Sequence, residues 1–133
     1  MATFRPNEKQ RVCELNFDDE FFYKIPLTEK TAQKFAAICE RNKTALEKMA
    51  TDDPEAFDKA YDMCLDVIDE LLGEGAAEDI MSLYKEPGFF EVAEVINFIA
   101  TEYKAAYDAE IGKLKATGDL PNRAERRGRR GNR

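Results

Sequence analysis

Residues 53–75 read DPEAFDKAYDMCLDVIDELLGEG, and this stretch decides the class of fold. Asp53 stands where a helix N-cap is needed, and Pro54 follows at the first helical position, where its missing N–H costs nothing. Phe57, Ala60, Tyr61, Cys64, Val67, Ile68, Leu71 and Leu72 recur at three- and four-residue steps along one side, the period of a half-buried α-helix. Gly73, followed by Glu74 and Gly75, supplies the stop.

Working outward, the same period marks two further long helices. Thr28 suits an N-cap with Glu29 in the first turn, and Phe35, Ile38, Cys39, Leu46 and Met49 form an apolar face from about residue 28 to 50. Residues 76–84 read as a two-turn helix carrying Ile80, Met81, Leu83 and Tyr84, broken by Glu86-Pro87-Gly88. A long helix then runs from about residue 89 to 115, with Phe89, Val92, Ala93, Ile96, Ile99, Tyr103, Ala106, Tyr107 and Leu114 at helical spacing. Phe90, Val95 and Phe98 widen its apolar arc, so it is expected to be the most buried element. The N-terminal part is different. In residues 11–27, RVCELNFDDEFFYKIPL, the apolar Cys13, Leu15 and Phe17 alternate with Glu14 and Asn16, and Phe21, Tyr23 and Ile25 alternate with Phe22 and Lys24. Period-two alternation on both sides of Asp18-Asp19-Glu20 describes a β-hairpin with one buried face. Its turn has no glycine, so it is not the favoured two-residue type and its register stays open. Pro26 ends the second strand. The expected fold is mainly α in an α+β arrangement: an N-terminal β-hairpin, then three principal helices plus one short one. The layout is a flexible leader over 1–10, a single domain over 11–116, and a disordered arginine-rich tail over 117–133.

At 133 residues the chain suits one domain. Hydrophobic residues make up 44% and charged residues 35%, a globular composition on the polar side. No run approaches the roughly 18 apolar residues of a membrane span, and MATFRPNEKQR has no apolar signal segment. Cys13, Cys39 and Cys64 are odd in number and far apart, which fits free thiols in a reducing cytosol better than a disulfide framework. Histidine is absent, which removes the commonest general base and zinc ligand. The expectation is a protein of the cytosol, not secreted, with no cofactor. The net charge of −7 hides a polar arrangement: residues 117–133 carry six arginines against Asp119 and Glu125, a balance of +4, which leaves −11 on residues 1–116.

Candidate chemistry is sparse. Asp58, Asp62 and Asp66 stack at four-residue steps on one helix face, with Asp69 and Glu70 beyond. A calcium loop needs a bent segment with a central glycine, and di-iron bundles need Glu-x-x-His, so no metal site is assigned; a solvated face that also attracts a cationic peptide is the better account. No phosphate-binding glycine motif occurs, and Ser82 and the cysteines have no histidine to activate them. No catalytic residues are assigned and an enzyme is not expected. The terminal RAERRGRRGNR could contact phosphates, but no aromatic is interleaved for base stacking and the acidic body repels a duplex, so nucleic acid is an unlikely partner. Phe21 and Phe22, adjacent on a strand, cannot both enter one core. With Tyr23 and the pair Phe89-Phe90 they form the candidate aromatic surface for a partner, beside Asp58, Asp62 and Asp66 and the arginines Arg123, Arg126 and Arg127.

An extended pair leading into a helix (VCELNFDDEFFYKIPLTEKTAQKFAAI), an acidic mid-chain helix closed by glycine (LLGEGAAEDIM), a long helix, and the finish PNRAERRGRR resemble the tail assembly chaperones of long-tailed bacteriophages of Gram-positive bacteria. Small phage proteins of that kind often end in N-R-A-x-R-R, here Asn122-Arg123-Ala124-Glu125-Arg126-Arg127. The resemblance covers most of the chain in layout and the last dozen residues and the LLGEG region in motif. It implies a non-enzymatic protein of tail morphogenesis that binds the tape measure protein, and possibly the major tail protein, and keeps the former soluble, with homo-oligomerisation possible. Two other readings stay open: a small acidic regulatory or host-takeover protein that occupies a nucleic-acid-binding site, and an accessory nucleic-acid-binding protein acting through its arginine tail.

Overall fold

The computed structural model describes residues 1–6, 10–49 and 51–116. Residues 1–6 have no regular secondary structure and are exposed; the 117–133 segment, with its expected disorder and with Arg123, Arg126 and Arg127, lies outside the described residues. Alternation in the hairpin becomes two strands, β1 (Val12–Phe17) and β2 (Phe21–Pro26), paired antiparallel with Cys13 opposite Ile25 and Phe17 opposite Phe21. Cys13, Leu15, Phe17 and Ile25 are buried on one face. On the other, Glu14 faces Lys24 and Asn16 faces Phe22, an opposite-charge pair and a polar–aromatic pair on the solvent side.

The glycine-free turn settles the register. Asp18 and Asp19 take φ values of +55° and +58°, the left-handed region that aspartate tolerates better than most residues. Glu20 N–H donates to the Phe17 carbonyl at 3.0 Å. Asn16 secures the turn twice: its Oδ1 accepts from Asp19 N–H and its Nδ2 donates to Asp19 Oδ1, each at 2.8 Å.

Helix α1 (Glu29–Glu47) begins where Thr28 Oγ1 accepts from Thr31 N–H at 3.1 Å. It ends three residues before the expected limit, because Met49 N–H turns back to the Leu46 carbonyl and tightens the last turn. Helix α2 (Pro54–Leu72) is capped by Asp53, whose Oδ1 accepts from Glu55 N–H at 2.9 Å, and stopped at Gly73 with φ +119° and ψ 158°, a region open to glycine and almost nothing else. The short helix α3 (Ala76–Met81) is shorter than the expected 76–84. Leu83 and Tyr84 instead follow it in a turn whose amides reach back three residues, to Ile80 and Met81. Helix α4 spans Phe89–Ala116.

The expectation that α4 is the most buried element is corrected. The centre is α2, which packs against α1, α3, α4 and β2 and contributes Ala60, Cys64, Val67, Ile68 and Leu71 to the core. At 28 residues, α4 is about 42 Å long and outruns the body: it buries Val92, Val95, Ile96, Ile99 and Tyr103, and nothing from Lys104 to Ala116. Leu15, Val67, Ile68, Ile80, Val92 and Ile99 are each 2% exposed or less, burial that stabilises by about 1.5–3 kcal/mol per side chain. The hairpin's apolar face lies on α4 through β1, where Phe17 meets Phe98 edge-on at 5.4 Å. Tyr103 Oη donates to the Pro26 carbonyl at 2.9 Å and fastens the end of β2 to α4. The buried polar residue among those described is Asn42, whose Oδ1 accepts weakly from the Cys64 thiol at 3.8 Å.

Candidate partner-binding surfaces

Helices α1 and α4 both lean on α2, and the sides they turn toward each other carry small residues among larger ones, with Asn42 and Asn97 as neutral polar groups in the lining. Ala32, Ala36 and Cys39 on α1 face Ala93 and Ala100 on α4. Side chains this small leave a trough where larger ones would interdigitate. Two adjoining depressions of about 390 Å³ and 280 Å³ share Cys39 and Ala100. The first is completed by Leu46 and Ile96, the second by Phe35, Tyr103 and Tyr107. Phe35 and Tyr103 close the floor with ring centres 4.3 Å apart, and Tyr107 stacks on Tyr103 at 6.4 Å. The first depression is lined by the C-terminal part of α1 and the earlier part of α4, the second by the reverse, so the two helices run antiparallel. From residue 93 to 108 the trough is about 22 Å long, four helical turns. Its rim balances Lys43 and Lys104 against Glu47 and Asp108, with Lys104 paired to Asp108 at 3.1 Å.

A second hollow, of about 570 Å³, lies between α2 and α3. Tyr61, Leu65, Met81 and Tyr84 give it an apolar lining, and Asp66, Asp69 and Glu78 its carboxylates. Burial, with Glu94 and Glu91 nearby, pushes the Tyr84 phenol up. Burial, with Asp79 and Asp69, does the same for Tyr23. In both, burial leads and the neighbouring carboxylates add to it.

The residues singled out from sequence fall into separate groups. Phe21 and Tyr23 are half-buried on the core side of the hairpin, with Tyr23 edge-on to Phe17 at 5.8 Å, while Phe22 is 65% exposed on the outer face. Phe89 is half-buried against Phe57 at 5.5 Å, and Phe90 beside it is 78% exposed. Asp58, Asp62 and Asp66 are exposed along α2, and only Asp66 borders a hollow. Asp69, counted with that acidic run, serves the fold instead, since its Oδ1 accepts from Ala77 N–H at 2.9 Å and caps α3. Glu70 pairs with Arg41 of α1 at 2.9 Å. Reading the sequence missed the trough altogether. Its signal was the spacing of Ala32, Ala36 and Cys39 opposite Ala93 and Ala100, small residues on helix faces otherwise taken only as core.

Chemically the site is quiet. Burial pushes all three thiols up: Cys39 by burial alone, Cys13 by burial and then Glu102, and Cys64 by burial against the lowering hydrogen bond to Asn42. Raised thiols are poor nucleophiles. Among the described residues no group of three or more His, Cys, Asp or Glu is placed to hold a metal ion, and no helix is long and apolar enough to cross a membrane. At the far end of α4, Glu110 accepts from Lys113 at 3.0 Å and from Arg11 at 3.2 Å, and the Lys113 hydrogen bond leads in holding its carboxyl below the usual range. In comparisons with known protein families, curated proteins and solved structures, nothing matches the chain.

Proposed function

We propose that this protein is a non-enzymatic chaperone that holds amphipathic helices of another polypeptide, and that it acts in the bacterial cytosol as a phage tail assembly chaperone for the tape measure protein. The observation that carries the reading is the trough between α1 and α4. It has the length of four helical turns, small residues along its walls and an aromatic floor. An amphipathic helix lays its apolar face into such a groove with anchors at i, i+3, i+4 and i+7. The exposed Phe22 and Phe90 add apolar contacts outside it. The negative charge of residues 1–116 keeps a coated client dispersed by self-repulsion. The narrowing to tail assembly rests on the resemblance in layout and in the N-R-A-x-R-R finish.

Co-expression tests it. Fragments of a tape measure protein encoded beside this chain are expected to move from the insoluble to the soluble fraction and to co-purify with it. Fragments that stay insoluble and unbound in its presence would end the proposal.

A further inference from the structure

Asn42 is 6% exposed, and only half of its carboxamide is used inside the molecule. Its Oδ1 takes the Cys64 thiol at 3.8 Å, while its Nδ2, with two N–H groups to give, has no hydrogen-bond partner among the described residues. No fully enclosed side-chain nitrogen or oxygen among those residues lacks a partner, so this Nδ2 opens on to the depression of about 390 Å³ that Asn42 lines. Asn97 lines the same depression from α4. The second depression has no such group: Phe35, Tyr103 and Tyr107 make it an apolar seat, edged by Lys104 and Asp108. The lining of the trough is therefore polar at one end and greasy at the other.

We propose that Asn42 selects the client of the trough: the helix that docks there carries a glutamine or asparagine among its apolar anchors, set against Asn42, with a large apolar anchor about seven residues away. The inference rests on the trough being the client site. While the trough is open, solvent meets Nδ2. A seated helix expels that solvent, and a buried donor left unpaired costs more than a made bond returns. The client's backbone is no help, because its carbonyls are taken within its own helix. A wholly apolar stripe therefore strands Asn42. Serine and threonine hydroxyls tend to bond back to their own helix. A carboxylate would bring a charge into an apolar recess beside Glu47. A neutral carboxamide accepts from Asn42 and keeps N–H groups for Asn97 across the trough. Since it both gives and takes, it answers Asn42 in either orientation of the amide. The spacing comes from α1, where Asn42 stands seven residues beyond Phe35 of the apolar seat, two helical turns or about 10.5 Å. One buried polar contact in an apolar seam fixes register at some cost in affinity; here it decides which turn of the client lies at each end.

The test uses the full chain and two synthetic amphipathic helices of about 20 residues, long enough to hold their fold. One has leucine at every anchor. The other has glutamine at the central anchor and keeps the leucines about two turns to either side. Calorimetry is expected to show wild type binding the glutamine helix about tenfold more tightly than the all-leucine one. Asn42→Leu, close in size and without the buried amide, is expected to keep its circular dichroism and to reverse the preference. The wild-type comparison needs no variant and decides the matter even where Asn42→Leu does not fold. Equal binding of the two helices to wild type, or tighter binding of the all-leucine one, overturns the proposal and leaves the trough as client site. A preference for glutamine that survives in folded Asn42→Leu overturns it too. Failure of both helices to bind overturns this inference together with the trough reading.

Discussion

Replacing Tyr103 by phenylalanine isolates the bond that fastens the hairpin to α4. The ring is 4% exposed and sits 4.3 Å from Phe35, and its hydroxyl donates to the Pro26 carbonyl at 2.9 Å. Tyr103→Phe keeps the ring and deletes one donor. A made hydrogen bond is worth about 1 kcal/mol net, and the half-buried Pro26 carbonyl loses its partner, which together give a cost of about 1–2 kcal/mol. Tyr103→Ala also removes the ring, for a cost of about 3–5 kcal/mol. In urea unfolding with a slope of about 1–3 kcal/mol/M, the phenylalanine variant lowers the midpoint by about 0.3–2 M at unchanged slope. A phenylalanine variant as stable as wild type, or an alanine variant no worse than it, refutes the docking of β2 on α4.

Three other outcomes are expected. Leu15→Ala and Phe22→Ala probe opposite faces of the hairpin: the first, 2% exposed, costs about 2–5 kcal/mol in thermal or urea unfolding, and the second, 65% exposed, stays within about 0.5 kcal/mol; similar costs for both would contradict the assigned facing. Gly73→Ala meets no atom within 4 Å of the added methyl, so its cost of about 1–3 kcal/mol is conformational, set by φ +119°, and a neutral substitution measured by circular dichroism melting would contradict that geometry. Cys13, Cys39, Cys64, Tyr23, Tyr84 and Tyr103 all hold their protons more tightly when folded, burial leading in each case. Above about pH 8.5 the unfolded chain therefore binds fewer protons than the native one, first at the thiols and near about pH 10 at the phenols. Their contribution is complete below those values and lost as pH rises through the raised native ones, so the urea midpoint should fall from about pH 8.5 upward; a flat or rising midpoint would count against these shifts.

The hairpin, the caps at Thr28 and Asp53 and the stop at Gly73 follow from local patterns, and local patterns are what a sequence displays. Alternation named the inward Cys13, Leu15 and Phe17, and the adjacency of Phe21 and Phe22 required one of them to face out. Features set by the third dimension were hidden. Whether α4 or α2 lies at the centre depends on what packs on each, and the long apolar arc of α4 exceeds the body available to cover it. Asp69 reads as one more surface carboxylate until α3 folds back and places Ala77 N–H beside it. Asn42 interrupts no apolar period, so its burial beside Cys64 leaves no mark in the pattern. The trough is the clearest case. Alanines are compatible with a tight helix crossing or with a gap, and only the common lean of α1 and α4 on α2 selects the gap.

That gap carries the functional account, and filling it is the direct test. Ala36→Trp with Ala100→Trp places two indoles where the trough is lined by methyl groups. Binding of an amphipathic tape measure helix is then compared by calorimetry with wild type, circular dichroism serving to show that both are folded. The account predicts that wild type binds and that the filled variant, still folded, loses the helix by about tenfold or more. Equal affinity of the two proteins would contradict it.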